Sequence, residues 1–478
     1  MEPTLLQHLV HGQWQTTSSQ EHVEIRHAIR GNVHALASSE ELDWKQVLNY
    51  GREVGNPALR SMTFQERGRM LKSLALHLHS KKESFYLMSE ATGATRVDSW
   101  IDIEGGIGNL FSYASLRRQF GDQPFALDGD AIGLSKGGSF VANHLLVPKE
   151  GVAVHINAFN FPVWGMLEKV AVNWLAGVPA IVKPATATSF LTECVVREII
   201  ASKILPPGAI QLICGPARQM LDHVDERDVV TFTGSASTGM QLRAHPNLNA
   251  HSVPFNMEAD SLNSCILGNH VKAGDEEFDL FIKEVRNEMT VKCGQKCTAV
   301  RRIFAPDHLM DDVQNALITA LSKTNKGDPN VKGVRMGSLV NAEQKKEVLS
   351  QVQELESEAE CVFRDEKEPI GDVDPAAFMG PVLLRMNDPD AATRCHDVEA
   401  FGPVSTLMPY RDLDHAIALT NRGKGSLCCS LISHDAREAK HFVMGTAVMH
   451  GRILVLDRDC AKESTGHGSP LPLSLIHI

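Results

Sequence analysis

Residues 293–302 read Cys-Gly-Gln-Lys-Cys-Thr-Ala-Val-Arg-Arg, a stretch that could carry a reactive thiol at Cys297. A cysteine reacts as the thiolate, in a partly open and electropositive place. Gly294 frees the backbone to turn where other residues resist, and Lys296 and Arg301 bring positive charge within a few residues. The competing assignment is a buried packing cysteine, a common state of a free thiol. Partners for a nucleophile stand elsewhere in the chain. Glu258 follows the apolar stretch at Val253, and a partly desolvated carboxylate there is a stronger base, or else a helix cap. Asn157 and Asn160 follow the apolar run 152–156, where an amide can donate to a developing oxyanion. Lys183 closes the run 179–182. At the carboxyl end of a parallel strand it would face a ligand crevice, though a surface lysine fits equally. Gly234-Ser-Ala-Ser-Thr-Gly239 follows one run and opens a helix, so its backbone N–H groups suit an anion. Met240 stands where a phosphate-loop lysine would, and GxGxxG is absent, so a tight turn fits as well. Glu399, before Phe401-Gly402-Pro403, adds a further acid beside a turn.

A strand–helix alternation must position these residues. Strands are expected at 152–156, 179–182, 209–213, 229–232 and 253–256, and helices at 161–175, 189–204, 217–224 and 235–244. This rhythm predicts a parallel sheet with right-handed crossovers, its ligands at the carboxyl ends of the strands. Up to about residue 120 the chain is expected to be mainly helical, with helices at 64–80 and 99–116. Residues 121–136 are rich in Gly and Asp and read as a connection, and 139–147 as one arm of a hairpin. Further on, helices are expected at 278–292, 309–321, 343–356 and 413–421, and strands at 302–305, 382–384 and 404–407.

A chain of 478 residues is too long for one hydrophobic core, which implies two or three domains. The formal net charge of -11 argues against nucleic acid as a partner. The start lacks the charge and apolar pattern of a signal peptide. The most apolar run, 170–182, is broken by Asn173, Gly177 and Pro179 and is too short to span a bilayer. Ten cysteines without regular spacing suggest reduced thiols and a cytoplasmic protein. Neither CxxC nor HExxH occurs, so no metal is expected.

Taken in order, Asn160-Phe-Pro162, Lys183-Pro-Ala-Thr186, Phe232-Thr-Gly-Ser235 with Gly239, Glu258, Gly294-Gln-Lys-Cys297 and Glu399-Ala-Phe-Gly-Pro403 resemble the aldehyde dehydrogenase superfamily over roughly residues 55–470. His155–Pro162, Phe255–Asn263 and His450–Asp459 resemble more narrowly its PaaZ-type group, the ring-opening aldehyde dehydrogenases of phenylacetate degradation. The semialdehyde dehydrogenases of the benzoyl-CoA route are near neighbours. Most of the superfamily has Glu-Leu-Gly-Gly where this chain has Glu258-Ala-Asp-Ser261, a change the narrower group shares.

The resemblance implies an α/β fold with three parts: a parallel-sheet NAD(P)-binding domain (1–120 and 148–258), an α/β catalytic domain (259–450) and a small β-hairpin oligomerisation element (121–147 and 451–472). It implies Cys297 as nucleophile, Asn160 and the Cys297 N–H as oxyanion donors, and Glu258 as the base that hydrolyses a Cys297 thioester. Lys183, Thr186, Gly234, Ser235, Gly239, Glu399 and Phe401 are expected to bind the cofactor. Thr186 stands where NAD-preferring relatives often carry a glutamate, which points to NADP over NAD. The implied substrate is a small aldehyde, a CoA-linked semialdehyde, and the implied assembly a homo-oligomer. A CoA-acylating dehydrogenase and a non-catalytic protein that kept the fold are the alternatives; the presence of Glu258 and Cys297 speaks against each in turn. Residues 473–478, Leu-Ser-Leu-Ile-His-Ile, read as a translated sequencing-adapter end, which leads to the expectation of an incomplete reading frame with a non-native tail.

Overall fold

Apolar runs of a few residues, closed off by Gly, Pro or a polar turn, form the first sheet. In this computed structural model, which describes residues 3–468 except 18, 20 and 39–41, its strands are His8–Val10 (β1), Gln13–Gln15 (β2), Ala153–Ile156 (β3), Ala180–Lys183 (β4), Ile210–Leu212 (β5), Val229–Thr233 (β6) and Phe255–Glu258 (β7). They pair in the order β7-β6-β3-β4-β5-β1-β2. β3 to β7 run parallel; β1 joins β5 antiparallel and β2 joins β1 likewise. The longer helices of this unit are Phe64–Ser89 (α1), Arg96–Leu116 (α2, from Ser99 onward), Pro162–Leu175 (α3), Ser189–Ala201 (α4) and Ala236–Arg243 (α5). One core joins Val10, Val47, Val154, Ile181, Ile213 and Val230. Trp174 of α3 is fully buried and donates from Nε1 to the Ala209 carbonyl at 2.9 Å. Truncating such a side chain to Ala costs about 3–5 kcal/mol.

The chain divides into two units: Met1–Arg26, Val33–Ser89 and Ser99–Ala259, and His27–Asn32, Glu90–Asp98 and Asp260–Ile478. The second unit holds Ser264–Leu267 (β8), Glu276–Thr290 (α6), Arg302–Pro306 (β9), Met310–Leu321 (α7), Ala342–Leu355 (α8), Glu360–Arg364 (β10), Val382–Arg385 (β11), Val404–Tyr410 (β12), Leu413–Asn421 (α9), Ser426–Ile432 (β13), Ala436–Thr446 (α10) and His450–Leu456 (β14). Its sheet order is β10-β11-β12-β9-β8-β13-β14, and only β10 runs antiparallel to its neighbour. β14, which the resemblance assigned to the bridging element, pairs with β13 along its length.

The elements expected from residue 151 onward match to within a few residues, with one exception, while Ser264–Leu267, Glu360–Arg364, Ser426–Ile432 and Ala436–Thr446 were not expected. Residues 217–224 form only a short 3₁₀ turn at Met220–His223. The larger correction concerns the start. The described residues up to 37 hold no helix but the strands Thr4–Leu5, β1, β2, Val23–Arg26 and Val33–Ala37. These strands are two to five residues long, and β1 takes its inner partner, β5, from some two hundred residues away. Residues 139–147 do form a hairpin arm: Ile132–Gly133 pairs with Val141–Ala142, and Ala126–Leu127 with Leu145–Leu146. The predicted tail, 473–478, lies outside the described residues. Among the described residues no helix is long and apolar enough to cross a membrane, and no group of three metal-binding side chains occurs.

Candidate active site

In the first unit the expected residues collect at one sheet edge. The strand order turns back at β3, since β4 and β5 lie on one side of it and β6 and β7 on the other. The carboxyl ends flanking such a reversal are where doubly wound sheets bind ligands. Ile156 lies opposite both Lys183 and Phe232, and Thr233 lies opposite Glu258. The Gly234 N–H donates to the Glu258 carbonyl at 3.2 Å and the Asn157 N–H to the Lys183 carbonyl at 3.0 Å. Asn160, Lys183, Thr186, Gly234, Ser235 and Glu258 thus follow or end neighbouring strands. Lys183 is half-buried, and desolvation pushes its ammonium down to about 8, with the Cys214 thiol opposing the shift. Asn157 is buried with both its amide nitrogen and oxygen unpartnered, and Thr233 Oγ1 is unpartnered as well. Buried polar atoms without partners are rare in native proteins. Here they fit a ligand rich in hydroxyl and phosphate groups, as a nicotinamide dinucleotide is.

Two glycines let α5 pack against this edge. A Cβ on Gly234 would come 2.6 Å from the Phe232 ring, and one on Gly239 would come 2.5 Å from the Met257 sulfur. Ser235 caps α5, accepting from the Thr238 N–H at 3.4 Å. Asn160 stands in the loop entering α3, whose N-cap position, Phe161, has no side-chain acceptor. Asp102 of α2 serves instead, accepting from the N–H groups of Val163 at 3.0 Å and Trp164 at 2.7 Å. Gly105 of the same helix makes this approach possible, because a Cβ there would run into the Trp164 ring.

In the second unit the expected residues gather, together with Asn263, at the amino ends of the strands, the edge opposite to the one the general rule favours. Asn263 leads into β8, Cys297 to Arg301 into β9, and Glu399 into β12, and these three strands are neighbours. The Asn263 amide donates to the carbonyls of Cys297 and Ala299, both at 2.9 Å. Its oxygen accepts from Ser261 Oγ at 2.8 Å and Cys428 N–H at 2.9 Å. Arg301 donates to the carbonyls of Gly294 at 2.9 Å and Gly402 at 2.7 Å, and to Glu399 Oε1 at 3.1 Å. Its guanidinium lies 5.4 Å from the Phe401 ring centre. Glu399 Oε2 accepts from the Ser261 N–H at 2.8 Å. Burial pushes the Glu399 carboxyl up to about 7, with Arg301 and the Ser261 N–H pulling the other way. Both oxygens of Glu399, expected to reach a cofactor ribose, are therefore engaged inside this unit.

Lys296 corrects the expectation of free positive charge beside the thiol. Its ammonium pairs with Glu288 at 2.7 Å, and both side chains are buried. A buried ammonium needs such a partner, so its charge is consumed locally, as that of Arg301 is by Glu399.

Three consecutive residues, Lys292 (φ 54°), Cys293 (φ 53°) and Gly294 (φ 67°), adopt the left-handed conformation. For a non-glycine residue this costs on the order of 1–3 kcal/mol and persists only where the surroundings enforce it. Gln295 donates from its N–H and from Nε2 to the Lys292 carbonyl at 3.1 and 3.0 Å, and accepts from the Val340 N–H at 3.0 Å. The Lys292 N–H donates to Asp98 Oδ1 at 2.7 Å, and its ammonium to Thr92 Oγ1 at 3.1 Å. A Cβ on Gly294 would run into the Gly402 carbonyl. The Gly-Gln pair ahead of Cys297 therefore has two physical tasks: close approach and stapling. Beyond this turn Cys297 is half-buried, whereas Cys293 is buried and desolvation pushes its thiol well up.

Asp98, Asp102 and Asn263 escaped the sequence reading. A capping-box pattern, Thr95-x-x-Asp98, marked the first of them as a helix start. The other two are lone polar residues whose partners lie far away in sequence.

The aldehyde dehydrogenase family profile matches residues 14–458. The chain is 42% identical over 474 residues to the 3,4-dehydroadipyl-CoA semialdehyde dehydrogenase of Aromatoleum evansii, covering 98% of this chain and 92% of that protein. Among solved structures it resembles betaine aldehyde dehydrogenase from Staphylococcus aureus in complex with NAD+, at 21% identity and a TM-score of 0.83, covering 95% of this chain and 88% of the other. It also resembles aldehyde dehydrogenase 21 from Physcomitrella patens in complex with succinate, at 19% identity and a TM-score of 0.79, covering 95% and 90%. The α/β fold with two parallel-sheet units is the fold of these enzymes.

Proposed function

Because the chain belongs to the aldehyde dehydrogenase family and is thus an oxidoreductase acting on aldehydes, we propose that it oxidises a CoA-linked semialdehyde of aromatic-compound degradation to the free acid. The observation that carries this reading is the 42% identity, along nearly the whole chain, to an enzyme named for such a substrate. That likeness favours a dehydroadipyl-CoA semialdehyde, and the motifs at His155–Pro162 and His450–Asp459 support the phenylacetate branch as the second reading.

The roles proposed follow the chemistry of each residue. The Cys297 thiolate adds to the aldehyde carbon, and the Asn160 amide and the Cys297 N–H stabilise the oxyanion. A nicotinamide dinucleotide held by the first unit, through Lys183, Thr186, Gly234, Ser235 and Gly239, supplies a hydride acceptor. Loss of hydride leaves a thioester on Cys297. Glu258 takes a proton from water as its oxygen attacks that thioester, releasing the acid and the thiolate. Glu258 is what distinguishes hydrolysis from transfer to free CoA. NADP is the proposed cofactor, since the uncharged Thr186 and the cationic Lys183 favour a 2′-phosphate where a carboxylate would repel it. The hairpin of residues 126–146 is the proposed assembly element, supported by its exposed Leu127, Ile132, Phe140 and Leu145.

Absorbance of the reduced nicotinamide tests the reading, with dehydroadipyl-CoA semialdehyde, its phenylacetate-route counterpart and betaine aldehyde as substrates, each with NADP and NAD, with and without free CoA. CoA-linked substrates should turn over best, with NADP, and without any need for free CoA. A strict requirement for CoA would establish the acylating alternative, and no turnover of any aldehyde would leave a non-catalytic protein. Glu258→Gln should give a single burst of reduced cofactor and then stall; turnover at the wild-type rate would remove Glu258 as the base.

A further inference from the structure

We infer that Asp98 is a positioning residue for the nucleophile: its carboxylate holds the left-handed run Lys292-Cys293-Gly294 and so sets where Cys297 stands. The inference rests on the reading of Cys297 as the nucleophile. Asp98 belongs to a short segment, Glu90–Asp98, that folds within the same unit as Cys297. It is 2% exposed, and both its oxygens are used. Oδ2 accepts from the N–H and the hydroxyl of Thr95, each at 2.8 Å, and Thr95 Oγ1 accepts from the Asp98 N–H at 3.3 Å. This is a capping box at the start of α2. Oδ1 is left over, and it takes the Lys292 N–H.

That N–H needs an outside acceptor. The last N–H that follows the helical pattern of α6 is that of Val291, bonded to the Asn287 carbonyl. Lys292 comes next and has already turned left-handed. A bond to an ionised carboxylate is among the stronger ones a backbone donor can make. The same segment also receives the other end of the residue, through Thr92. Gly294 adopts the left-handed region freely, but Lys292 and Cys293 do not. Without Asp98 these two residues lose the bond that favours their conformation. Cys297 lies five residues from Lys292, so any change of backbone conformation at Lys292 re-aims the loop that carries the thiol.

The test reads the thiol itself. Cys297 is alkylated with iodoacetamide in the full chain without cofactor, and peptide mapping assigns the modified cysteines. Asp98→Asn keeps the volume but offers one acceptor where Lys292 and Thr95 both need one. It should change the Cys297 alkylation rate at least fivefold and lower kcat about tenfold with KM within twofold, as expected when a reacting group is misplaced. Thr95→Ala removes only the capping hydroxyl; it should lower the melting temperature and leave alkylation and kcat within twofold. Lys292→Gly, added to Asp98→Asn, should recover most of both rates, because glycine holds the left-handed conformation unaided. A purely structural role for Asp98 predicts no such rescue. If Asp98→Asn does not fold, the double variant carries the test. Unchanged alkylation and kcat in Asp98→Asn, or a double variant that is unfolded or no better than the single one, overturns the inference. Full activity in Cys297→Ala would instead remove the nucleophile reading, while leaving the alkylation comparison valid.

Discussion

Cys293 and Cys297 stand four residues apart and have opposite surroundings. The first is sealed in the core with its thiol pushed up by desolvation, the second is half-buried beyond the turn. Cys297→Ala should therefore abolish aldehyde oxidation, while Cys293→Ala should keep kcat within about threefold, since buried thiols are inert. An enzyme inactivated equally by both changes would contradict this division. Glu399 allows a second prediction at this scale. Its carboxyl titrates near 7 in the fold, against an ordinary value of 4.5. The folded chain therefore binds more protons than the unfolded one between those values, and this residue makes stability fall as pH rises through that window. Glutamine cannot titrate. Glu399→Gln should thus gain stability relative to the wild type between pH 5 and pH 8, measured by urea denaturation at each pH. A difference that stays constant, or moves the other way, would place the carboxyl in the ordinary range.

Helix α3 enters at Phe161 without a cap of its own and borrows Asp102 from α2. Losing an N-cap acceptor costs about 0.5–2 kcal/mol. Asp102→Ala should lower stability by that order and, because Asn160 sits in the same loop, reduce kcat about tenfold. A variant that loses stability but keeps kcat would separate the cap from the oxyanion role proposed for Asn160. Elements of this kind show what could be read from the chain beforehand. The βα alternation of 152–258 was legible because each apolar run is bounded by glycine, proline or a polar turn. The motif order Asn160-Phe-Pro162, Gly234-Ser235, Glu258 and Gly294-Gln-Lys-Cys297 was legible as types at spacings, and with it the family. The strands before residue 37 were not, since β2, Gln13-Trp14-Gln15, carries no sustained pattern and pairs only with β1. Nor could Asp102 be read, since its value lies in two N–H groups sixty residues on. Lys296 was misread because its sequence position shows a charge but not the Glu288 that neutralises it.

At the scale of the molecule, the hairpin of residues 126–146 leaves Phe140 63% exposed, with Leu127, Leu145 and Val147 comparably open. Apolar side chains gathered in this way support the assembly role proposed for the hairpin. Phe140→Ser with Val147→Ser should shift the protein to a smaller species in size-exclusion chromatography, with the fold intact by circular dichroism. An unchanged elution volume would show that the hairpin takes no part in assembly. The chain also changes unit at 26/27, 32/33, 89/90, 98/99 and 259/260, and this interleaving bears on how the protein is made. Asp98 leaves the ribosome 194 residues ahead of Lys292, an interval of about 10–40 s at usual elongation rates. During that time Glu90–Asp98 has no sheet to join, and the second unit cannot close on its own stretch of chain. A nascent protein of this design must keep its early segments open until its late strands arrive, so chaperone occupancy should peak before residue 292 is made and fall only after the strands beyond Cys297 have emerged.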